Sequence, residues 1–129
     1  MKIEHIAMWV DDLEQVRSFY EKYFNTECSE KYMNLRNRFS SYFLSFGDSS
    51  ARIEIMHRPD IVQKPGLHAS SFGLTHFTIS VGSKSKVDEL TERIRKDGFK
   101  IVGEPRTTGD GYYESVVEDC EGNLVEITE

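Results

Sequence analysis

The stretch His76-Phe77-Thr78-Ile79-Ser80-Val81 restates His5-Ile6-Ala7-Met8-Trp9-Val10, and Leu124-Val125-Glu126-Ile127 restates Arg52-Ile53-Glu54-Ile55. The two histidines lie 71 residues apart and the two glutamates 72, a one-residue difference that a single loop insertion supplies. The chain therefore reads as two copies of one module, each with a His early and a Glu late. Working outward, Ile3, His5, Ala7 and Trp9 alternate with Glu4, Ile6, Met8 and Val10, the period-2 pattern of a covered strand in which His5 shares a side with Ala7 and Trp9. Asp11-Asp12 can cap the helix that follows, where Leu13, Val16, Phe19-Tyr20 and Tyr23-Phe24 recur at helical spacing and Asn25 is a left-handed stop. Three more strands fit Thr26 to Met33, Ser40 to Phe46 and Ala51 to His57, so module one reads βαβββ.

Module two repeats the order. Leu74 to Val81 is the strand, Ser83 the helix cap, Val87, Leu90 and Ile94 the buried stripe, and Gly98 the terminator. Phe99 to Val102, Tyr112 to Val117 and Asn123 to Thr128 are the remaining strands, with a turn at 119–123 before the last. Because side chains alternate faces, Glu54 sits with Arg52 and Met56, and Glu126 with Leu124 and Thr128. At 129 residues the chain suits a single α+β domain: module one about 1–58, a linker about 59–71 carrying Pro59, Pro65, Gly66 and Ser70-Ser71, and module two about 72–129.

A formal charge of −6 argues against nucleic acid and anionic membrane surfaces, which require a basic face. No apolar run approaches the length of a membrane span, and the N-terminus alternates in polarity where a signal peptide would be solidly apolar. The expectation is a cytoplasmic protein acting on a small molecule. Cys28 and Cys120, without a C-x-x-C spacing, read as reduced thiols.

His5, Glu54, His76 and Glu126 together offer two imidazoles and two carboxylates to one divalent ion. With two water positions they complete an octahedron favoured by Ni, Co or Mn and open to Zn. The bland alternative is two core histidines and two solvated strand-end glutamates, but independent accidents would not share a repeat spacing. His57 and His68, in or beside the linker, read as solvent-exposed residues outside the ligand set, and Arg36, Arg38, Arg52 and Arg58 as candidate anion contacts.

The motifs H-I-A-M-W-V-D-D-L at 5–13, F-Y-E-K-Y-F at 19–24, I-E-I at 53–55, L-T-H-F-T-I-S-V at 74–81 and D-C-E-G-N-L-V-E-I at 119–127 resemble the vicinal oxygen chelate superfamily, the glyoxalase/bleomycin-resistance/extradiol-dioxygenase group, over essentially the full length. The resemblance implies two βαβββ modules paired into a half-open barrel, a metal held by His5, Glu54, His76 and Glu126, and a homodimer. Three-ligand oxygenases and thiol transferases of this group match at His5, His76 and Glu126, so Glu54 favours a site similar to that of glyoxalase I (lactoylglutathione lyase).

That likeness implies a metal-dependent lyase or isomerase moving a proton on a chelated α-hydroxycarbonyl compound or thiohemiacetal through an enediolate. Glu126 would be the base and Glu54 its pseudo-symmetric counterpart. The alternatives are a drug- or metabolite-binding resistance protein of the same fold, and a three-ligand oxygenase or thiol transferase. Trp9 stands where glyoxalase I has an Arg for the glutathione carboxylate, and Arg58 near the place of an Asn. These two, with Tyr112 and Tyr113 at the pocket mouth, are the expected substrate-binding residues.

Overall fold

The computed structural model describes residues 2–47, 51–62, 72–109 and 111–129, and the chain divides into two compact units, Met1–Gln63 and Lys64–Glu129. In the first, β1 (His5–Trp9) leads into α1 (Leu13–Phe24), followed by β2 (Glu27–Cys28), β3 (Tyr32–Asn34), β4 (Phe39–Ser45) and β5 (Arg52–His57). Asp12 caps α1 by accepting from the backbone N–H groups of Glu14 and Gln15, and Asn25 ends it in the left-handed region at φ 51°. The sheet order is β1-β5-β4-β2 with β3 also on β4; β1 and β5 run parallel and the other pairs antiparallel.

Helix α1 packs on β4 and β5 and covers one face of this sheet. Val16, Tyr20, Leu44 and Ile55 are fully buried there, each aliphatic one worth about 1.5–3 kcal/mol against exposure. The other face carries His5, Ala7 and Trp9, which α1 leaves uncovered. The expected single strand from Thr26 to Met33 is instead broken into β2 and β3. Between Cys28, opposite Leu44, and Tyr32, opposite Ser41, the register on β4 advances by one residue, which makes a bulge. Ser29 closes one side of it: its N–H donates to the Phe43 carbonyl at 2.9 Å and its hydroxyl accepts from the Phe43 N–H at 3.0 Å.

The second unit contains β6 (His76–Ser80), α2 (Lys84–Lys96), β7 (Ile101–Thr107), β8 (Tyr113–Glu118) and β9 (Leu124–Thr128), in sheet order β6-β9-β8-β7 with β6 and β9 parallel. Gly98, at φ 89°, donates to the Arg95 carbonyl and Phe99 to the Ile94 carbonyl, so two carbonyls of the last turn of α2 are satisfied beyond its end. The buried stripe is Val87, Thr91 and Ile94, with Leu90 only half-buried. Thr91 donates to the Val87 carbonyl and meets the Ser115 hydroxyl, both at 2.7 Å, which lets a polar pair occupy the core. Strand β7 runs past the expected Val102 to Thr107, through Pro105. It is an edge strand with register shifts on either side of Gly103, so the missing N–H of proline falls where the ladder does not need it. Among the described residues no helix is long and apolar enough to cross a membrane.

Candidate metal centre

Parallel pairing brings His and Glu together in each unit by the same device. On β1 and β5, His5 lies opposite Arg52 and Ala7 opposite Glu54, so His5 and Glu54 are diagonal neighbours on the uncovered face. On β6 and β9, His76 lies opposite Leu124 and Thr78 opposite Glu126, giving the same diagonal. The separations are 3.8 Å from His5 Nε2 to Glu54 Oε2 and 3.4 Å from His76 Nε2 to Glu126 Oε2. Two donors each about 2.0–2.2 Å from one ion lie about 3.0–3.4 Å apart at octahedral to tetrahedral angles, so the second pair already has ligand spacing and the first is slightly wider. Among the described residues no group of three or more candidate ligands occurs; each unit by itself holds one His–Glu pair.

The surroundings of the two pairs differ. Behind His5, Nδ1 lies 2.5 Å from Glu4 Oε2, and the Arg52 guanidinium is hydrogen-bonded to the other Glu4 oxygen. Those bonds, His5's first and then Arg52's, hold the Glu4 carboxyl below the usual carboxylate range. A proton on Nδ1, facing Glu4, would leave the Nε2 lone pair turned to Glu54. Two acceptors then face each other, an arrangement that a cation between them relieves, and the donor set fits a borderline divalent ion.

In the second unit the place of Glu4 is taken by Thr75 and that of Arg52 by Leu124. There the glutamate is anchored instead: Thr78 donates its hydroxyl to Glu126 Oε1 at 2.9 Å. The turn leading into β9 is tied by Asp119, which is 3% exposed. Its Oδ1 accepts from the N–H of Glu121 and of Asn123, both at 2.9 Å, while Gly122 takes φ 82°. Glu4 and Thr78 were not singled out from the sequence, whereas Asp119 opens the turn expected at 119–123. Strand parity alone carried a signal for Thr78, two residues past His76 on the same face.

The expected substrate-binding residues separate into two sets. Trp9, 41% exposed on the His5 face, meets Phe39 edge-on at 6.1 Å, and Phe39 in turn meets Tyr32 at 6.1 Å. The Arg58 guanidinium lies 5.5 Å over the Trp9 ring but is held by both oxygens of Asp60, at 2.6 and 3.0 Å. Trp9 and Arg58 are thus neighbours. Tyr113 faces away from Glu126: it lies opposite Thr107 on β7, and its hydroxyl donates to Asp88 of α2 at 2.7 Å. Tyr112 is 58% exposed, and its carbonyl accepts from the backbone N–H and the hydroxyl of Thr108. His57 is half-buried rather than exposed, because it sits on the helix-covered side and donates to the Val10 carbonyl at 3.1 Å. His68 lies outside the described residues. Neither Cys28 nor Cys120 is in a disulfide.

A family model described as the glyoxalase/bleomycin resistance protein/dioxygenase superfamily matches residues 2–127. The chain belongs to that superfamily. An uncharacterised Bacillus subtilis protein, YqjT, is similar at 27% identity over 128 residues, covering 97% of this chain and 96% of its own. Among solved structures, a glyoxalase family protein from Bacillus cereus superposes with a TM-score of 0.84 at 17% identity, covering 100% of this chain and 93% of that one. Maize glyoxalase I gives 0.80 at 22% identity, covering 98% of this chain and 44% of that one. The trypanothione-dependent glyoxalase I of Leishmania major gives 0.78 at 22%, covering 100% and 86%. The fold is therefore that of the glyoxalase superfamily.

Proposed function

We propose that this superfamily member is a metal-dependent lyase or isomerase of the glyoxalase I type, acting on a small α-hydroxycarbonyl compound or thiohemiacetal. The observation that carries the reading is the repeated diagonal pair: a His and a Glu at near-ligand spacing on the uncovered sheet face of both units. Glu54 in particular stands where a three-ligand site would need no carboxylate, and it faces His5. On this reading His5, Glu54, His76 and Glu126 come together around one divalent ion when the two half-sites meet, within one chain or across a homodimer.

Held by these four residues, a divalent ion would supply Lewis-acid polarisation of the substrate. The protein does the rest. His5 and His76 hold position without charge, and the two carboxylates balance the ion's charge. Glu126 takes the proton from the substrate carbon and returns it to the adjacent one, with Glu54 as its counterpart on the other face.

Elemental analysis of protein purified without chelator is expected to find one divalent ion per chain, released by His5→Ala or His76→Ala. Full metal content in both variants would place the site elsewhere. Glu126→Gln is expected to keep metal, since an amide oxygen still ligates, but to abolish exchange of the substrate's carbon-bound hydrogen with deuterated solvent. The aromatic row of exposed Trp9 and Tyr32 with half-buried Phe39 between them supports a second reading, a protein that sequesters a flat apolar drug or metabolite. It predicts ligand binding that survives complete removal of metal.

A further inference from the structure

The site is asymmetric behind its ligands, and the asymmetry is concentrated at Glu4. Arg52 grips Glu4 twice: its backbone N–H donates to the Glu4 carbonyl at 3.0 Å and its guanidinium pairs with the Glu4 carboxylate. The same guanidinium lies 4.2 Å over the Phe43 ring, against which His5 packs edge-on at 5.3 Å. Phe43 thus supports both the histidine and the arginine that steers the carboxylate. Every member of this cluster is different in the second unit, where Thr75, Leu124 and Val116 occupy the places of Glu4, Arg52 and Phe43. The arrangement is not a by-product of the repeat.

A carboxylate on one ring nitrogen of a histidine decides which nitrogen keeps the proton, and it raises the donor strength of the other. We infer that Glu4, held in place by Arg52, is a positioning residue that fixes His5 as its Nδ1–H tautomer, so that Nε2 is committed to the ion on the Glu54 side. His76 follows Thr75 rather than a carboxylate. His5 is accordingly the histidine whose donor nitrogen is set in advance, although its pair is the slightly wider of the two. The affinity consequence rests on the metal-centre reading above, whereas the tautomer consequence does not.

The test separates the two. Nitrogen-15 correlation spectra of the metal-free protein near pH 7.5 report the tautomer of each histidine. The wild type is expected to show His5 as Nδ1–H. Glu4→Ala is expected to shift His5 towards the Nε2–H form that histidine favours in water, with His76 unchanged as an internal control. Glu4→Gln, which keeps an oxygen able to accept from Nδ1, is expected to hold the tautomer.

Titration with Zn2+ alone, in competition with a chromophoric chelator, should show about 10- to 100-fold weaker binding in Glu4→Ala and partial rescue in Glu4→Gln. Glu4 is half-exposed ahead of β1, and circular dichroism checks that the fold persists. If Glu4→Ala leaves the His5 tautomer unchanged, or leaves Zn2+ affinity within twofold of a wild type that does bind Zn2+, the inference is overturned. A wild type that binds no Zn2+ but loses its Nδ1–H tautomer in Glu4→Ala would uphold the role of Glu4 and refute the metal centre.

Discussion

Thr78 donates its hydroxyl to Oε1 of Glu126 at 2.9 Å, while the residue in the same place of the first unit, Ala7, offers Glu54 no donor. Each unit therefore steadies a different side chain of its pair: the first its histidine through Glu4, the second its glutamate through Thr78. Replacing Thr78 by Val keeps the side chain's shape and removes only the donor. The expected result is about 10-fold weaker divalent-metal binding, the lower end of the range for losing a neighbour that orients a ligand, with little change in thermal stability because Thr78 is exposed. Chelator competition and a melting curve measure the two quantities separately.

At the mouth of the first unit the positive charge is already spoken for. Arg58 is bound by both carboxylate oxygens of Asp60 and stacked over Trp9, so neither residue is placed to grip a substrate carboxylate. A charge-assisted hydrogen bond to a carboxylate contributes about 1.5–3 kcal/mol, roughly a 10- to 100-fold effect on kcat/KM. The glutathione hemithioacetal of methylglyoxal is accordingly expected to be turned over at least about 10-fold less efficiently than an adduct of a small uncharged thiol. Steady-state kinetics with both adducts, at matched metal occupancy, decides the matter.

Acid stability should depend on Glu14. Its Oε1 accepts from Lys31 Nζ at 3.0 Å and from the Tyr42 hydroxyl at 2.9 Å, tying α1 to the sheet beneath it. The Lys31 bond first, then the Tyr42 bond, lowers the Glu14 carboxyl from its ordinary 4.5. A carboxylate with a depressed folded pKa contributes stability that is complete above the ordinary value and is lost as pH falls through the folded one. Glu14→Gln is therefore expected to melt earlier than wild type at pH 7 and to match it at a pH below both values. A difference that persists unchanged at pH 2–3 would show that the bonds work without the charge.

Thr91 and Ser115 form a polar pair inside the second unit. Because Thr91 spends its proton on the Val87 carbonyl, Ser115 must donate to Thr91, and both side chains are almost wholly buried. Thr91→Val strands the Ser115 hydroxyl and is expected to cost about 1–3 kcal/mol. Adding Ser115→Ala should recover part of that loss, so that the double variant is more stable than the single. Urea unfolding of the three proteins tests the order.

Much of the architecture was legible in the chain because its signals are local. Asp12 and Asn25 bracket α1 as their side-chain and backbone chemistry require, and Gly98 ends α2 in a conformation that disfavours side chains bearing Cβ. The repeat of His-then-Glu placed both pairs on strands and alternation gave each its face, but β1 had read as a covered strand, and its His5, Ala7 and Trp9 face is exposed because α1 packs on the other side. The bulge between β2 and β3 was not legible, because the register advance is set by what Ser29 and Tyr32 find opposite them on β4 rather than by their own sequence. The extension of β7 through Pro105 was hidden for a related reason, since proline is excluded from central strands and tolerated at an edge, and edge position is a property of the sheet.

The candidate site divides in the same way. Residue type and spacing by themselves determined that two histidines and two glutamates would recur in matched places, because a strand's period of two and a duplicated module leave little freedom in where such side chains point. Only the tertiary structure decided what stands behind them: Glu4 and Arg52, 48 residues apart, meet at His5 because β1 and β5 pair in parallel, and Tyr113 turns to Asp88 because its strand faces α2 there. Such partners are brought together by strand pairing and helix packing across long stretches of chain, and no periodicity within a single segment records them.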